Sequence, residues 1–217
     1  MLPALILLPV LAILLALGTW QAERLVWKTA LLAEIAAIEA APPRPLAADP
    51  PLFTKVSVTG RFDHGREAML ELEVRGAVLG ARLLTPLIPA HGPPILVDRG
   101  WVPMARAGGI ARPEGETSIE AYVRLAESRG WSAPVDDLAA RRFYTFAPAT
   151  IGAALGLPAV APFGLVALGP PGSPDPARSL PRPRNSHLGY AITWYGLAAA
   201  LIAVFAAFAW RRLKEQA

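Results

Sequence analysis

The sequence predicts a membrane protein of α+β class, with two transmembrane helices at the chain ends flanking an antiparallel, β-rich soluble domain, barrel- or sandwich-like. Three observations predict it. Residues 1–22 and 185–210 contain no Asp, Glu, Lys or Arg. Between them the composition is that of an ordinary globular domain, and the hydrophobic period falls to two. Turns rich in the chain's 18 Gly and 23 Pro separate the alternating runs. A chain of 217 residues accommodates one ordinary domain plus two spans, and not two full domains. Its apolar share of 53% is high because the ends carry the excess.

The first span covers residues 2–22. A hydrocarbon core takes roughly 20 apolar residues of helix to cross. Lipid offers backbone amides no partner, so the run must be helical. The stretch Leu2 to Gly18 has an alternative reading as a cleaved secretory signal, since Ala16 and Gly18 resemble a small-residue cleavage site. Only Met1 and Leu2 precede the apolar core, so the positive n-region is missing, and the helical pattern runs on. Both facts favour an uncleaved anchor. No Arg- and Ser-rich transit segment precedes the span, which favours a bacterial source.

A helical extension is expected over 23–41. Leu25, Leu31, Leu32, Ile35 and Ile38 recur at three- and four-residue steps, with Arg24, Lys28, Glu34 and Glu39 between them. Pro42-Pro43 ends it. A helix from about Leu5 to Ala41 would project roughly 25–30 Å beyond the bilayer. Residues 42–51 hold five prolines and read as a semi-rigid linker.

The β-rich domain is expected over 52–168. Val56, Val58 and Phe62 alternate with Ser57, Thr59 and Arg61; Leu70, Leu72 and Val74 alternate with Glu71 and Glu73. Ile119, Ala121, Val123 and Leu125 alternate with Glu120, Tyr122 and Arg124. Arg82–Leu87, Ile95–Val102, Arg142–Phe146 and Phe163–Leu168 are further strand candidates, and Ala149–Leu157 is the one short helix. Six or seven short strands fit a sheet closing toward a barrel or sandwich. A second Pro-rich linker, 169–184, leads to the second span over 187–210, with Asn185 or Ser186 placed to cap it. A basic tail occupies 211–217.

Charge decides little about orientation. Arg211, Arg212 and Lys214 flank one end of the second span, whereas Arg24, Lys28, Arg182 and Arg184 flank the domain side of both. These groups account for much of the net charge of +4. No basic-aromatic module accompanies them, so nucleic acid is not an expected partner. The chain has no Cys, which excludes disulfides, thiol redox chemistry and thiolate metal sites.

Catalytic machinery is not in evidence, and the chain reads as a non-enzyme. Hydrolysis usually takes a His base, and the three here are His64, His91 and His187. His64 in Asp63-His64-Gly65 and His91 in Ala90-His91-Gly92 stand in turn contexts and read as solvated loop residues. No phosphate loop, HExxH or paired-carboxylate motif occurs, and three scattered Met make no copper site.

His187 differs, standing at the start of a membrane helix where ionisable groups are costly. Tyr190, Ala191 and Trp194 follow it on one helical face. One reading is an interfacial anchor belt. Topology favours a second. Two antiparallel spans put Trp20, Gln21, Arg24, Trp27 and Lys28 at the same leaflet as Arg184, Asn185, Ser186 and His187. An imidazole, aromatic faces and cations at one interface suit an amphipathic anionic cofactor such as haem. The small residues Gly196, Ala198, Ala199 and Ala200 permit close helix approach.

Three stretches carry a resemblance. Leu17-Gly18-Thr19-Trp20-Gln21-Ala22-Glu23-Arg24, continuing to Trp27-Lys28, resembles the opening motif of the Surfeit locus protein 1 family. Val97-Asp98-Arg99-Gly100-Trp101-Val102-Pro103 resembles its central motif, and Asn185-Ser186-His187-Leu188-Gly189-Tyr190-Ala191-Ile192-Thr193-Trp194-Tyr195 its closing one. They occur in order, and the match covers nearly the whole chain. Ser186 stands where a second Asn is common, and Tyr195 where Phe is usual.

The resemblance implies an assembly factor for haem-copper cytochrome c oxidase in a bacterial inner membrane, with both termini cytoplasmic and the domain periplasmic. It implies haem a as cofactor, with His187 as the iron ligand. Cytochrome c oxidase subunit I and other oxidase assembly factors are the implied partners, beside the lipid bilayer. On this reading Tyr190, Trp194, Trp20, Gln21 and Asn185 line the site, and Arg24, Lys28 or Arg184 pair the propionates. The central motif is a family signature; from the residues alone it reads as a strand ending in a turn with an Asp–Arg pair. Two rivals stay open: a cofactor-free scaffold for oxidase subunits or other assembly factors, and an anchored hydrolase, for which the polar constellation is missing.

Overall fold

The computed structural model describes residues 2–105 and 109–215. They form two compact units: residues 37–181, and the chain ends up to residue 36 and from 182.

The chain ends are two long helices, α1 (Leu2–Ala40) and α3 (His187–Glu215). Both are long and apolar enough to cross a membrane, and only 11% of the most apolar window of each is buried within the protein. The second helix runs through the expected basic tail as far as Glu215; Gln216 and Ala217 lie outside the described residues.

The unit over 37–181 is β-rich. Its described strands are β1 (Arg44–Pro45), β2 (Lys55–Phe62), β3 (Ala68–Arg75), β4 (Val78–Pro89), β5 (Ile95–Pro103), β6 (Glu116–Leu125), β7 (Arg142–Phe143) and β8 (Phe163–Ala167). They pair in the order β1-β2-β6-β8-β5-β4-β3-β7, and an added β2–β4 pairing joins the ends of the run β2-β6-β8-β5-β4. That pairing closes a five-stranded barrel and removes its open edges. The pairings are mostly antiparallel, with parallel ones at β1–β2, β3–β7 and β5–β8.

Alternation decides which side chains fill the barrel. Val56, Val58, Phe62, Leu87, Val97, Ala121, Val123 and Leu165 are in one buried cluster. The neighbouring Leu96 belongs to a second cluster with Leu70, Leu84, Phe143, Phe146 and Ile151 of α2 (Pro148–Ala154). β5 is therefore buried on both faces, which is why its apolar run Ile95-Leu96-Val97 is continuous. Each buried Val, Leu, Ile or Phe among them contributes roughly 1.5–3 kcal/mol.

Two β-bulges aim polar groups at one place. Arg99 and Gly100 on β5 face one residue of β4, and Glu71 on β3 is the extra residue between Leu70 and Leu72, at φ +51°. Arg82 lies between the two irregularities and donates through Nε to the Asp98 carboxylate, whose other oxygen accepts the Gly100 N–H at 2.9 Å. Burial pushes the Asp98 carboxyl up, while Arg82 and the Gly100 N–H oppose the shift. The central motif is thus not a strand ending in a turn with an internal Asp–Arg pair. It lies inside β5, and Asp98 pairs with Arg82 rather than with Arg99.

Both Pro-rich segments are more tightly bound than linkers. Arg44 and Pro45 pair in parallel with β2, and Leu46 packs on the barrel core. In the second segment, Trp101 and Asp175 exchange backbone hydrogen bonds of 2.9 Å each, and Ala177 N–H donates to Ala167 O at 3.1 Å. Residues 169–181 therefore form a strap held against β5 and β8. Prolines leave few N–H groups to satisfy, so two short bridges suffice.

Asp175 pins the strap further, accepting from Arg75 and Arg178 at 2.7 Å each. Burial raises its pKa, but the Arg178 and Arg75 guanidiniums outweigh that and hold it below the ordinary carboxylate range. A carboxyl lowered in the fold stabilises above its unfolded pKa of about 3.9 and loses that contribution as pH falls. We expect Asp175→Asn to be weaker at neutral pH, with a shallower loss of stability below about pH 4. Urea unfolding across pH checks this; parallel acid limbs for the two proteins would count against it.

Candidate functional site

The site is built where α1 and α3 run antiparallel within their unit. Gly18, Gln21, Leu25, Lys28, Leu32 and Ile35 are less exposed than their neighbours, as are His187, Ala191, Trp194 and Ala198 on α3. Both series step by three and four residues, the spacing of a packed helical seam. Small residues set the approach: a Cβ added at Gly18 would meet the Tyr195 ring at 2.8 Å.

Polar groups bridge this seam in register. The Thr19 and Tyr195 hydroxyls lie 3.1 Å apart, and Asn185 Nδ2 donates to Thr29 Oγ1 at 3.3 Å. Between them His187 Nδ1 lies 2.7 Å from Gln21 Oε1, and Gln21 is only 9% exposed. An amide oxygen can only accept, so the ring donates through Nδ1 and turns Nε2 away from this bond.

The other expected site residues divide. Trp194 is half-buried on the seam, whereas Tyr190 is 55% exposed and lies off it. Trp20 is exposed one position from Gln21. Arg24 and Lys28 both gather on Trp27, at 4.8 and 5.4 Å from its ring centroid. Arg184 is exposed and Asn185 half-buried. Asn185 does not cap α3: its Oδ1 is buried without a hydrogen bond. Thr19 and Thr29 went unrecognised in the sequence because mid-helix Thr commonly bonds back to its own helix, as both also do here.

His64 is not a solvated loop residue. Its Nδ1 lies 3.3 Å from Glu67 Oε1 and its Nε2 3.0 Å from Pro113 O, so it ties two loops together. His91 stays exposed in its turn. Among the described residues no cluster of three or more His, Cys, Asp or Glu forms a metal site.

Two apolar helices, bridged by polar pairs around one imidazole, and a closed barrel between them in sequence define a two-span membrane protein with an extramembrane β domain. Within that class the chain belongs to the SURF1 family, whose profile matches residues 8–199. Surfeit locus protein 1 of Xenopus tropicalis is 32% identical over 90% of this chain and 71% of its own length. The Homo sapiens protein of that name is 34% identical over 90% and 73%. A SURF1-like protein of Rickettsia conorii is 29% identical over 89% and 85%.

Proposed function

We propose that the chain is an assembly factor for haem-copper cytochrome c oxidase that binds haem a through His187 and assists its insertion into subunit I. Membership of the SURF1 family supports the assembly role. The observation that carries the haem reading is the Gln21–His187 bond of 2.7 Å. It orients the ring and leaves Nε2 as a ligand, as the partners of metal-bound imidazoles usually do. Haem, when bound, would supply an iron centre for that nitrogen to ligate. Trp20, Trp194 and Tyr190 offer apolar faces for a macrocycle. Arg24, Lys28 and Arg184 offer cations to propionates, and the orphaned Asn185 oxygen is a further acceptor. On this reading the protein sits in a bacterial inner membrane with both termini cytoplasmic and the barrel periplasmic, where it meets subunit I and other assembly factors.

Haem co-purifying with the detergent-solubilised protein, measured as its pyridine complex, should fall at least tenfold in His187→Ala. Gln21→Leu should retain His187 and still lose about tenfold in affinity, the usual effect of removing a ligand's orienting partner. Unchanged haem in His187→Ala would remove the ligand assignment. If barrel-surface variants block oxidase assembly while His187→Ala is silent, the chain is a cofactor-free scaffold.

A further inference from the structure

A cleft of about 1160 Å³ lies beside the strap, lined by residues of the barrel unit. Phe62, Ile119, Leu168, Pro170 and Pro174 give it apolar walls, and Arg99 and Arg112 lie at its border.

Glu39, Glu120, Lys55 and Arg178 also line the cleft, and their charges offset one another, whereas the charge at the arginine end is unbalanced. Glu67 is the carboxylate shared by both guanidiniums: Arg112 grips it at 2.7 Å, and Arg99 Nη1 stands 3.6 Å away without a hydrogen bond. Two cations on one anion leave an excess positive charge, with His64 also leaning on Glu67. Arg99 is 8% exposed and stacks 4.9 Å above the Phe62 ring, so water screens it poorly. Burial lowers its pKa, and the repulsion of Arg112 adds to the shift. Arg112 holds Glu67 through Nε and Nη2, and with 41% of its side chain exposed it can turn its remaining Nη1 edge to a ligand.

The central motif assembles this cleft. Asp98 fixes Gly100 through its N–H, and Gly100 has φ +125°. A Cβ there would lie 2.2 Å from Asp175 O, so glycine is what lets the strap close against β5 as a wall. The residue before it supplies the buried charge.

We propose that this cleft binds a small amphiphilic carboxylate, its anionic end at Arg112 beside Arg99 and its apolar body between Phe62, Ile119 and the strap prolines. The chemistry agrees: small-molecule sites are concave, mostly apolar and carry a few placed polar groups. A carboxylate matches a guanidinium fork and restores neutrality to the cluster. All the residues that line the cleft belong to the barrel unit.

The test uses the full chain in lipid nanodiscs, with empty discs subtracted. Naphthalene-2-carboxylate and the neutral naphthalene-2-carboxamide are titrated by calorimetry. The carboxylate is expected to bind saturably and at least tenfold tighter than the amide. Arg112→Gln should remove that preference, Arg112→Lys should keep part of it, and Leu168→Trp should fill the cleft and abolish both. Arg112 and Leu168 are partly exposed, so these variants leave the folded core untouched. No saturable carboxylate binding at millimolar concentration, equal binding of the two probes, or an intact preference in Arg112→Gln would each overturn the proposal. Displacement by inorganic phosphate at equal concentration would also overturn it, since the apolar body would then contribute nothing.

Discussion

Gly100→Ala should destabilise the barrel unit by about 3–5 kcal/mol. Two costs add. An L residue forced to φ +125° costs about 1–3 kcal/mol. The new Cβ would also stand 2.2 Å from Asp175 O and 2.3 Å from its carbonyl carbon, both backbone atoms that cannot swing aside. The strap must retreat, breaking two hydrogen bonds of 2.9 Å between Trp101 and Asp175, at about 0.5–1.5 kcal/mol each. Gly76→Ala isolates the first cost, because Gly76 has φ +60° and nothing within 4 Å of its added Cβ. That control should lose only about 1–2 kcal/mol. Urea unfolding gives the difference, and hydrogen exchange should show the Asp175 and Ala177 amides opening in Gly100→Ala alone. Equal losses in the two variants would mean that the strap is not held where the glycine admits it.

The same glycine marks the limit of what could be read from the chain. The spans were legible as charge-free apolar runs, and the strands of period two because burial repeats along them: Val56, Val58 and Phe62 all belong to the barrel core. What alternation cannot express is a bulge. Arg99-Gly100 and Glu71 each slip the register by one residue, so Asp98 faces Arg82 across the sheet instead of the Arg beside it in sequence. The strap was hidden for a related reason. Its prolines read as a solvated linker, and its attachment rests on two backbone bridges that carry no side-chain signature. At the candidate site, charge-free termini and antiparallel topology were enough to put Gln21 and His187 at one end of a helix pair. Their direct hydrogen bond, and the exposure of Tyr190 off the seam, depend on helix rotation, which an apolar run with small residues on several faces leaves undetermined.

Asp98→Ala should cost about 3–5 kcal/mol, the range for breaking one partner out of a buried pair. Asp98 is 2% exposed and has two jobs: it accepts the Gly100 N–H and neutralises Arg82. Arg82 has 16% of its side chain exposed and borders a cavity of about 520 Å³ shared with Arg124. Without Asp98 two guanidiniums line that cavity, with the carboxylates Glu71 and Glu127 drawing on Arg124. The remedy follows from the cause. If most of the loss is an uncompensated charge, Asp98→Leu/Arg82→Met should recover at least about 2 kcal/mol relative to Asp98→Ala, because an apolar pair of similar volume replaces a buried ion pair with little penalty. If instead the loss is the orphaned Gly100 N–H and the strap it positions, the double variant should stay as unstable as the single one. Asp98→Asn separates the two further: its amide oxygen can still accept from Gly100 while the charge is gone. Denaturation of the three variants, read beside exchange at Asp175, distinguishes a sheet held by charge balance from one held by the geometry of its bulge.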